Sequence, residues 1–180
     1  MIQRAIARRY AQGLFGIGIK DGNYRVYKDE LDGFLSLLTQ NETLYRAVTL
    51  PIHDLNFRKG IVSDIAVHMR LSTPVLNIIL LLLENNRIKY LSSVIEEYSK
   101  LVDEKDNIKR GKLYSPYPID PETLREIEDV LSEKLKKKVI LTPIEDKRLI
   151  AGLKLVVDGT IIDGTIRRQL DIIKETILKE

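Results

Sequence analysis

Two side chains in this 180-residue sequence could act as a general base or a metal ligand near neutral pH: His53 and His68. Their separation does not match H-E-x-x-H spacing, and neither has an obvious carboxylate companion. Nucleophilic catalysis would need such a base beside a serine or threonine, and nothing places either histidine there. They read as a loop histidine and a helix-surface histidine. There is no cysteine, so disulfides and thiolate metal sites are excluded and a reducing compartment is the simple reading.

Three other patterns suggest ligands. Gly13, Gly16, Gly18 and Gly22 run G-x-x-G-x-G, the reverse of a dinucleotide fingerprint, and no strand precedes them. Arg110-Gly111-Lys112-Leu113 lacks the upstream glycine and the following Ser/Thr of a P-loop. The lysines of Glu133–Val139 ("EKLKKKV") could bind phosphate, but lysines ending a helix more commonly stay solvated and complement its dipole. Asp-Gly-Thr-Ile occurs twice, at Asp158 and Asp163. A calcium loop needs several more oxygen ligands at fixed spacing. The first copy lies between "LKLVV" and "TII" and signals a β-hairpin. The second precedes "IRRQLDIIKETIL", with Ile166, Leu170, Ile173 and Ile177 on one helical face and Asp163 or Thr165 as the cap. Both copies are turns. No catalytic, cofactor or metal residue emerges, and no cofactor is expected.

The elements around these residues are helical for the first hundred positions. A first helix, about 2–19, carries Ile2, Ile6, Tyr10, Gly13, Leu14 and Ile17 on one stripe, and Ala11, Phe15 and Gly18 on another. One stripe can face a core, which leaves the second for another partner. Each helix glycine costs about 1 kcal/mol against alanine, so the glycines serve close helix approach, either within the bundle or from a partner. A second helix, about 24–39, turns Val26, Leu31, Phe34, Leu35 and Leu38 inward, and a short third, about 43–48, stops before Pro51. The fourth, about 54–69, carries Leu55, Ile61, Ile65 and Met69. A fifth starts with Thr73 as N-cap and Pro74 at its first position. Its run Val75–Leu83 is too short for a bilayer span, which takes roughly 20 apolar residues. Apolar nearly all round, it should sit in mid-bundle. The sixth, about 89–105, buries Leu91, Val94, Ile95, Tyr98, Leu101 and Val102.

After Asp103–Asn107 the texture becomes strand, helix, two strands, helix. The expectation is a mainly α protein with a small α+β part: a six-helix bundle over 1–105 and a β-α-β-β-α domain over 106–180. The first fifteen residues mix arginine into apolar positions and do not resemble a signal peptide. Net charge is +3, divided as +2 before residue 106 and +1 after it, with no concentrated basic patch of the kind nucleic-acid binders carry.

Several segments match a known family. "ARRYAQGLF" (Ala7–Phe15), "LLLENNRIKYL" (Leu81–Leu91), "SPYPID" (Ser115–Asp120) and "VILTPIEDKRLIAGLKLVVDGTIIDGTIRRQL" (Val139–Leu170) follow one another in the order and spacing of that family. The chain resembles, almost end to end, the delta subunits of F-type ATP synthases, equivalent to the mitochondrial oligomycin-sensitivity-conferring protein. It departs at Gly111, where a small residue such as alanine is usual, at Ala151-Gly152, where two glycines are common, and at Gly16, where the position is often acidic. The resemblance implies a non-catalytic stator subunit of the ion-driven rotary enzyme, one copy per complex. Such a subunit is peripheral to the cytoplasmic face of the bacterial inner membrane, without insertion and without nucleic acid. Its helical domain would receive N-terminal segments of the alpha subunits, and its C-terminal domain the end of the b-subunit stalk. Ala7, Tyr10, Ala11 and Leu14, with Val75, Leu76 and Ile79, are the candidate groove lining for the former. Gly152, Leu153 and Leu155 are the candidates for the latter. The rival readings are an RNA-binding protein, which would need a basic face with stacking aromatics, and a small hydrolase built on His53 or His68.

Overall fold

The structure, a computed structural model, describes residues 2–50, 53–157, 159–166 and 168. The chain divides into two compact units, Met1–Val102 and Asp103–Glu180. The division falls in the last turn of a helix ending at Lys105, close to the 105/106 boundary expected from the sequence.

The first unit holds α1 (Ile2–Asp21), α2 (Tyr24–Gln40), α3 (Glu42–Thr49), α4 (Leu55–Met69), α5 (Thr73–Glu84) and α6 (Leu91–Lys105). Burial follows helical periodicity. In α2, Tyr27, Leu31, Phe34 and Leu38 recur at i, i+4, i+7, i+11 and are all buried. Val26, expected inward, is 50% exposed, because Tyr27 occupies the core-facing position beside it. In α4 the buried stripe is Arg58, Val62 and Ala66. Ile61, Ile65 and Met69 pack partly against the core, and Leu55 is exposed. A charge concealed this stripe in the sequence. Arg58 can be buried because its Nε and Nη2 both donate to the Val48 carbonyl, at 2.9 and 2.7 Å, satisfying the C-terminal end of α3.

The N-cap of α5 is Ser72, one residue before the expected Thr73, with Pro74 in the first turn. The carboxylate of Glu30 in α2 accepts from the Ser72 backbone N–H and hydroxyl, at 2.9 and 2.6 Å. This ties the start of α5 to α2. Val75, Ile79, Leu82 and Leu83 are buried, but Leu81 is 44% exposed, so α5 is not enclosed on all sides as its composition suggested. Asn85 and Asn86 end it, the latter at φ +53°, and one 3-10 turn (Ile88–Tyr90) precedes α6. Tyr98 of α6 is fully buried and donates its hydroxyl to the Tyr24 carbonyl at 2.9 Å. Phe15 meets the rings of Tyr24 and Tyr98 edge-on.

The second unit holds β1 (Ile108–Ser115), α7 (Pro121–Leu135), β2 (Lys138–Glu145), β3 (Lys154–Val157) and β4 (Thr160–Asp163), in the sheet order β2-β1-β3-β4. β1 and β2 are parallel across α7, whereas β3 runs antiparallel to both β1 and β4. The fold class is mainly α with a small α+β part, as the sequence suggested. Asp120 caps α7, accepting from the backbone N–H groups of Glu122 and Thr123. "LIAGLKLVV" becomes a strand only from Lys154, because Gly152 takes φ +90° and brings its backbone against Gly164 and Thr165.

The Asp-Gly repeat resolves into two turns. Val157 pairs with Thr160 across a two-residue loop containing Gly159 at φ +80°. Asp163 accepts from the Thr165 N–H and hydroxyl, and the Thr165 oxygen accepts from the Arg168 N–H at 3.3 Å, the capping arrangement expected of the second copy. Leu170, Ile173 and Ile177 of the anticipated last helix lie outside the described residues.

Alternation along the strands assigns the faces of the sheet. Gly111, Leu113, Val139, Leu141, Leu155 and Val157 turn to one face, where Leu124, Ile127 and Leu131 of α7 cover them.

Candidate interaction surfaces

In α1 the fully buried side chains are Ala7, Ala11 and Leu14, and Gly18 continues their line at i, i+4, i+7, i+11. Small residues here let neighbours come close. A Cβ on Gly18 would sit 2.8 Å from the Tyr24 Cα, so this glycine admits the start of α2. Ile6, Tyr10, Gly13 and Ile17 lie one flank round and keep accessible surface, with Ile17 46% exposed. The Tyr10 hydroxyl accepts from Nη1 of Arg87, just past α5, at 3.2 Å, which places this flank beside the end of α5. Apart from adjoining residues and the local backbone of α1, no atom lies within 4 Å of where a Cβ would stand on Gly13 or Gly16.

The residues expected to line a groove differ in burial. Ala7, Ala11, Leu14, Val75 and Ile79 belong to the bundle core, where a segment laid on the folded surface does not reach them. Tyr10 and Leu76 are half-buried at its margin. Ile17 on α1 and Leu81 on α5 are among the apolar side chains that stay exposed, at 46% and 44%. Periodicity alone shows two stripes on α1 without saying which of them faces the core. The signal that separates them is residue size, since alanine and glycine favour the side where helices meet closely.

In the second unit, Gly152 has a structural task. A Cβ there would stand 2.4 Å from the Gly164 carbonyl oxygen. Leu155 is a core residue, whereas Leu153 is 38% exposed.

The two histidines are both exposed. His53 packs its ring on Phe57, with centroids 4.8 Å apart. Among the described residues no three His, Asp or Glu side chains converge as a metal site, and no helix is long and apolar enough to cross a membrane. The clearest electrostatic perturbations belong to turns and ties. Arg148 holds the Asp146 carboxyl down at about 2. Lys100, with Arg4, holds Glu97 below the usual carboxylate range, and burial pushes the Tyr98 phenol up.

Comparison with known proteins decides the family. The family model described as ATP synthase delta (OSCP) subunit matches residues 6–177. The chain belongs to the ATP synthase delta (OSCP) subunit family. Among relatives of this delta-family chain, the ATP synthase subunit delta of Desulfatibacillum aliphaticivorans is 33% identical over 172 residues, covering 96% of this chain and 94% of the relative. That of Desulfotalea psychrophila is 32% identical over 177 residues, covering 98% of each. A chain in the cryo-EM structure of the Toxoplasma gondii mitochondrial ATP synthase hexamer superposes with a TM-score of 0.63, covering 96% of this chain and 97% of that one. At 17% identity, that likeness speaks to the fold alone.

Proposed function

We propose that this delta-family chain is a non-catalytic stator subunit of a rotary F-type ATP synthase. One copy per complex joins N-terminal segments of the alpha subunits, in the head, to the C-terminal segment of the b-subunit stalk. Rotor torque is thereby converted into ATP synthesis instead of turning the head. The subunit is peripheral, at the cytoplasmic face of a bacterial inner membrane. The observation that carries the reading is the α1 flank beside α5, where exposed Ile17 and Leu81 accompany glycines with open space above them. Two mid-helix glycines there cost about 1 kcal/mol each against alanine, and a Cβ on either would meet no atom within 4 Å beyond its own stretch of helix. An incoming amphipathic helix would use that open space to approach closely. The half-buried Tyr10 and Leu76 form the edge of this groove, and Ala7, Ala11, Leu14, Val75 and Ile79 support it from below. On the second unit, Leu153 contributes to the stalk contact, with Gly152 and Leu155 holding it in place.

Calorimetric titration of the whole chain with a peptide copying the cognate alpha N-terminus tests the head contact. Fully burying an isoleucine is worth about 1.5–3 kcal/mol. About half of Ile17 remains to be covered, and a carboxylate in its place must also be desolvated. Ile17→Glu and Leu81→Glu should each weaken binding about tenfold or more with an unchanged circular dichroism spectrum. Wild-type affinity in both variants would reject the groove.

A further inference from the structure

Arg87 is a half-buried cation with no anion beside it among the described residues. It stands between the end of α5 and the 3-10 turn that precedes α6. Its backbone is fixed there, because its N–H donates to the Leu82 carbonyl at 2.7 Å and its carbonyl accepts from the Tyr90 N–H at 2.8 Å. Asn86 before it takes φ +53°, and Ile88 after it is buried. The side chain reaches α1, where Nη1 donates to the Tyr10 hydroxyl at 3.2 Å.

A guanidinium has five N–H donors and no acceptor. One of them meets Tyr10, a neutral group whose own O–H remains free to donate outward. The carboxylate nearest along the chain, Glu84, is taken by Lys59 at 2.6 Å. Other cations of the unit are matched, Arg4 with Glu97 and Lys28 with Asp32. Every acidic residue of the first unit is described, and none forms an ion pair with Arg87. Partial burial strips water from the charge without supplying a counter-charge, so a carboxylate brought by a partner gains more here than at a fully solvated cation. Two N–H groups on one edge of the fork can hold it, and the fork fixes its direction. Apolar contacts such as those of Ile17 and Leu81 are non-directional. They would let a docked helix slip by a turn, which a forked ion pair would not.

We propose that Arg87, steadied by Tyr10, is a specificity-determining anion site at the margin of the groove. It takes a side-chain carboxylate from the polar border of the incoming amphipathic helix and so sets that helix's register. That the helix is an alpha N-terminal segment rests on the stator reading above, whereas its carboxylate is inferred from the unmatched charge.

The test titrates the whole chain calorimetrically with a peptide copying the cognate alpha N-terminus, and with versions in which each Asp or Glu is changed singly to Asn or Gln. One of these changes should weaken binding about tenfold on the wild-type chain and less than about twofold on Arg87→Gln, a coupling that a double-mutant cycle isolates. Arg87→Gln should itself lose about tenfold with an unchanged circular dichroism spectrum, and Arg87→Lys should recover part of the loss. Arg4→Gln, which removes a cation already paired with Glu97, should cost less than about twofold. Raising salt from about 0.05 to 0.3 M should weaken the wild-type complex several-fold and the Arg87→Gln complex less. The peptide changes on the unaltered chain need no protein variant to fold. A peptide that binds while none of its acidic residues couples to Arg87, or equal losses in Arg4→Gln and Arg87→Gln, would overturn the site and leave the stator reading standing. A peptide that does not bind at all would overturn both.

Discussion

Gly111 sits where the second unit can least accept another atom. It pairs with Leu141 on one side and Val157 on the other, and both lean over it on the face that α7 covers. An alanine Cβ at this position would stand 2.4 Å from Cγ2 of Val157, 2.9 Å from Cδ2 of Leu141 and 3.0 Å from the Val156 carbonyl oxygen. Carbon atoms in good contact are about 3.5–4.0 Å apart. The Leu141 methyl is the end of a flexible chain and can turn aside. Valine has one strongly restricted torsion, and the carbonyl is backbone, so the strain falls on β3. Overpacking of this kind costs about 1–3 kcal/mol, and replacing a strand glycine returns about 0.5–1 kcal/mol. Gly111→Ala should therefore destabilise the unit by about 1–2 kcal/mol, a factor of about 5–30 in its folded population. Because the two units need not unfold together, the assay is native-state hydrogen exchange on the β1 and β3 amides of the whole chain. Adding Val157→Ala removes the obstructing methyls. The double variant should then be less destabilised than the sum of the singles, by about 0.5 kcal/mol or more. Protection in Gly111→Ala equal to wild type, or a strictly additive double variant, would refute the packing argument.

Arg58→Ala should be among the most damaging changes in the first unit. It opens a cavity and leaves the buried Val48 carbonyl without its two N–H donors, for a loss of about 2–4 kcal/mol by urea denaturation. Asp120 accepts from the Thr123 N–H, the Thr123 hydroxyl and the Glu122 N–H, which lowers its pKa below the usual 3.8. A carboxyl lowered on folding contributes stability that is fully present above its ordinary pKa and is lost as pH falls through the folded value. Relative to wild type, Asp120→Asn should keep the cap yet flatten the fall in melting temperature below about pH 4, whereas Asp120→Ala should lower it at neutral pH. Gly152→Ala, which forces a side chain onto φ +90° against the Gly164 carbonyl, should reduce exchange protection at the Gly164 and Ile166 amides, which bond to Leu153 and Ala151.

Local periodicity and punctuation were enough to locate the six helices, the α7 cap at Asp120 and the hairpin at Gly159, because each depends on neighbours within one or two turns of chain. What lay beyond that range was misjudged in a consistent way. Periodicity turns Val26 inward and passes over Arg58, because the sequence does not announce that a carbonyl ten residues earlier will satisfy a buried guanidinium. The two stripes of α1 are equally periodic, so periodicity could not choose between them. Neither could it show that five of the seven residues expected to line the groove are core.

The sequence by itself determined the family and the positions of the elements, since both reside in the order and spacing of residues along the chain. Only the tertiary structure decided which side of each element meets its neighbours and which is left open. That choice depends on how closely particular atoms can approach, as at Gly18 against Tyr24 and Gly111 between Leu141 and Val157. These contacts join residues distant along the chain, and the surfaces available to partners are those the contacts leave uncovered.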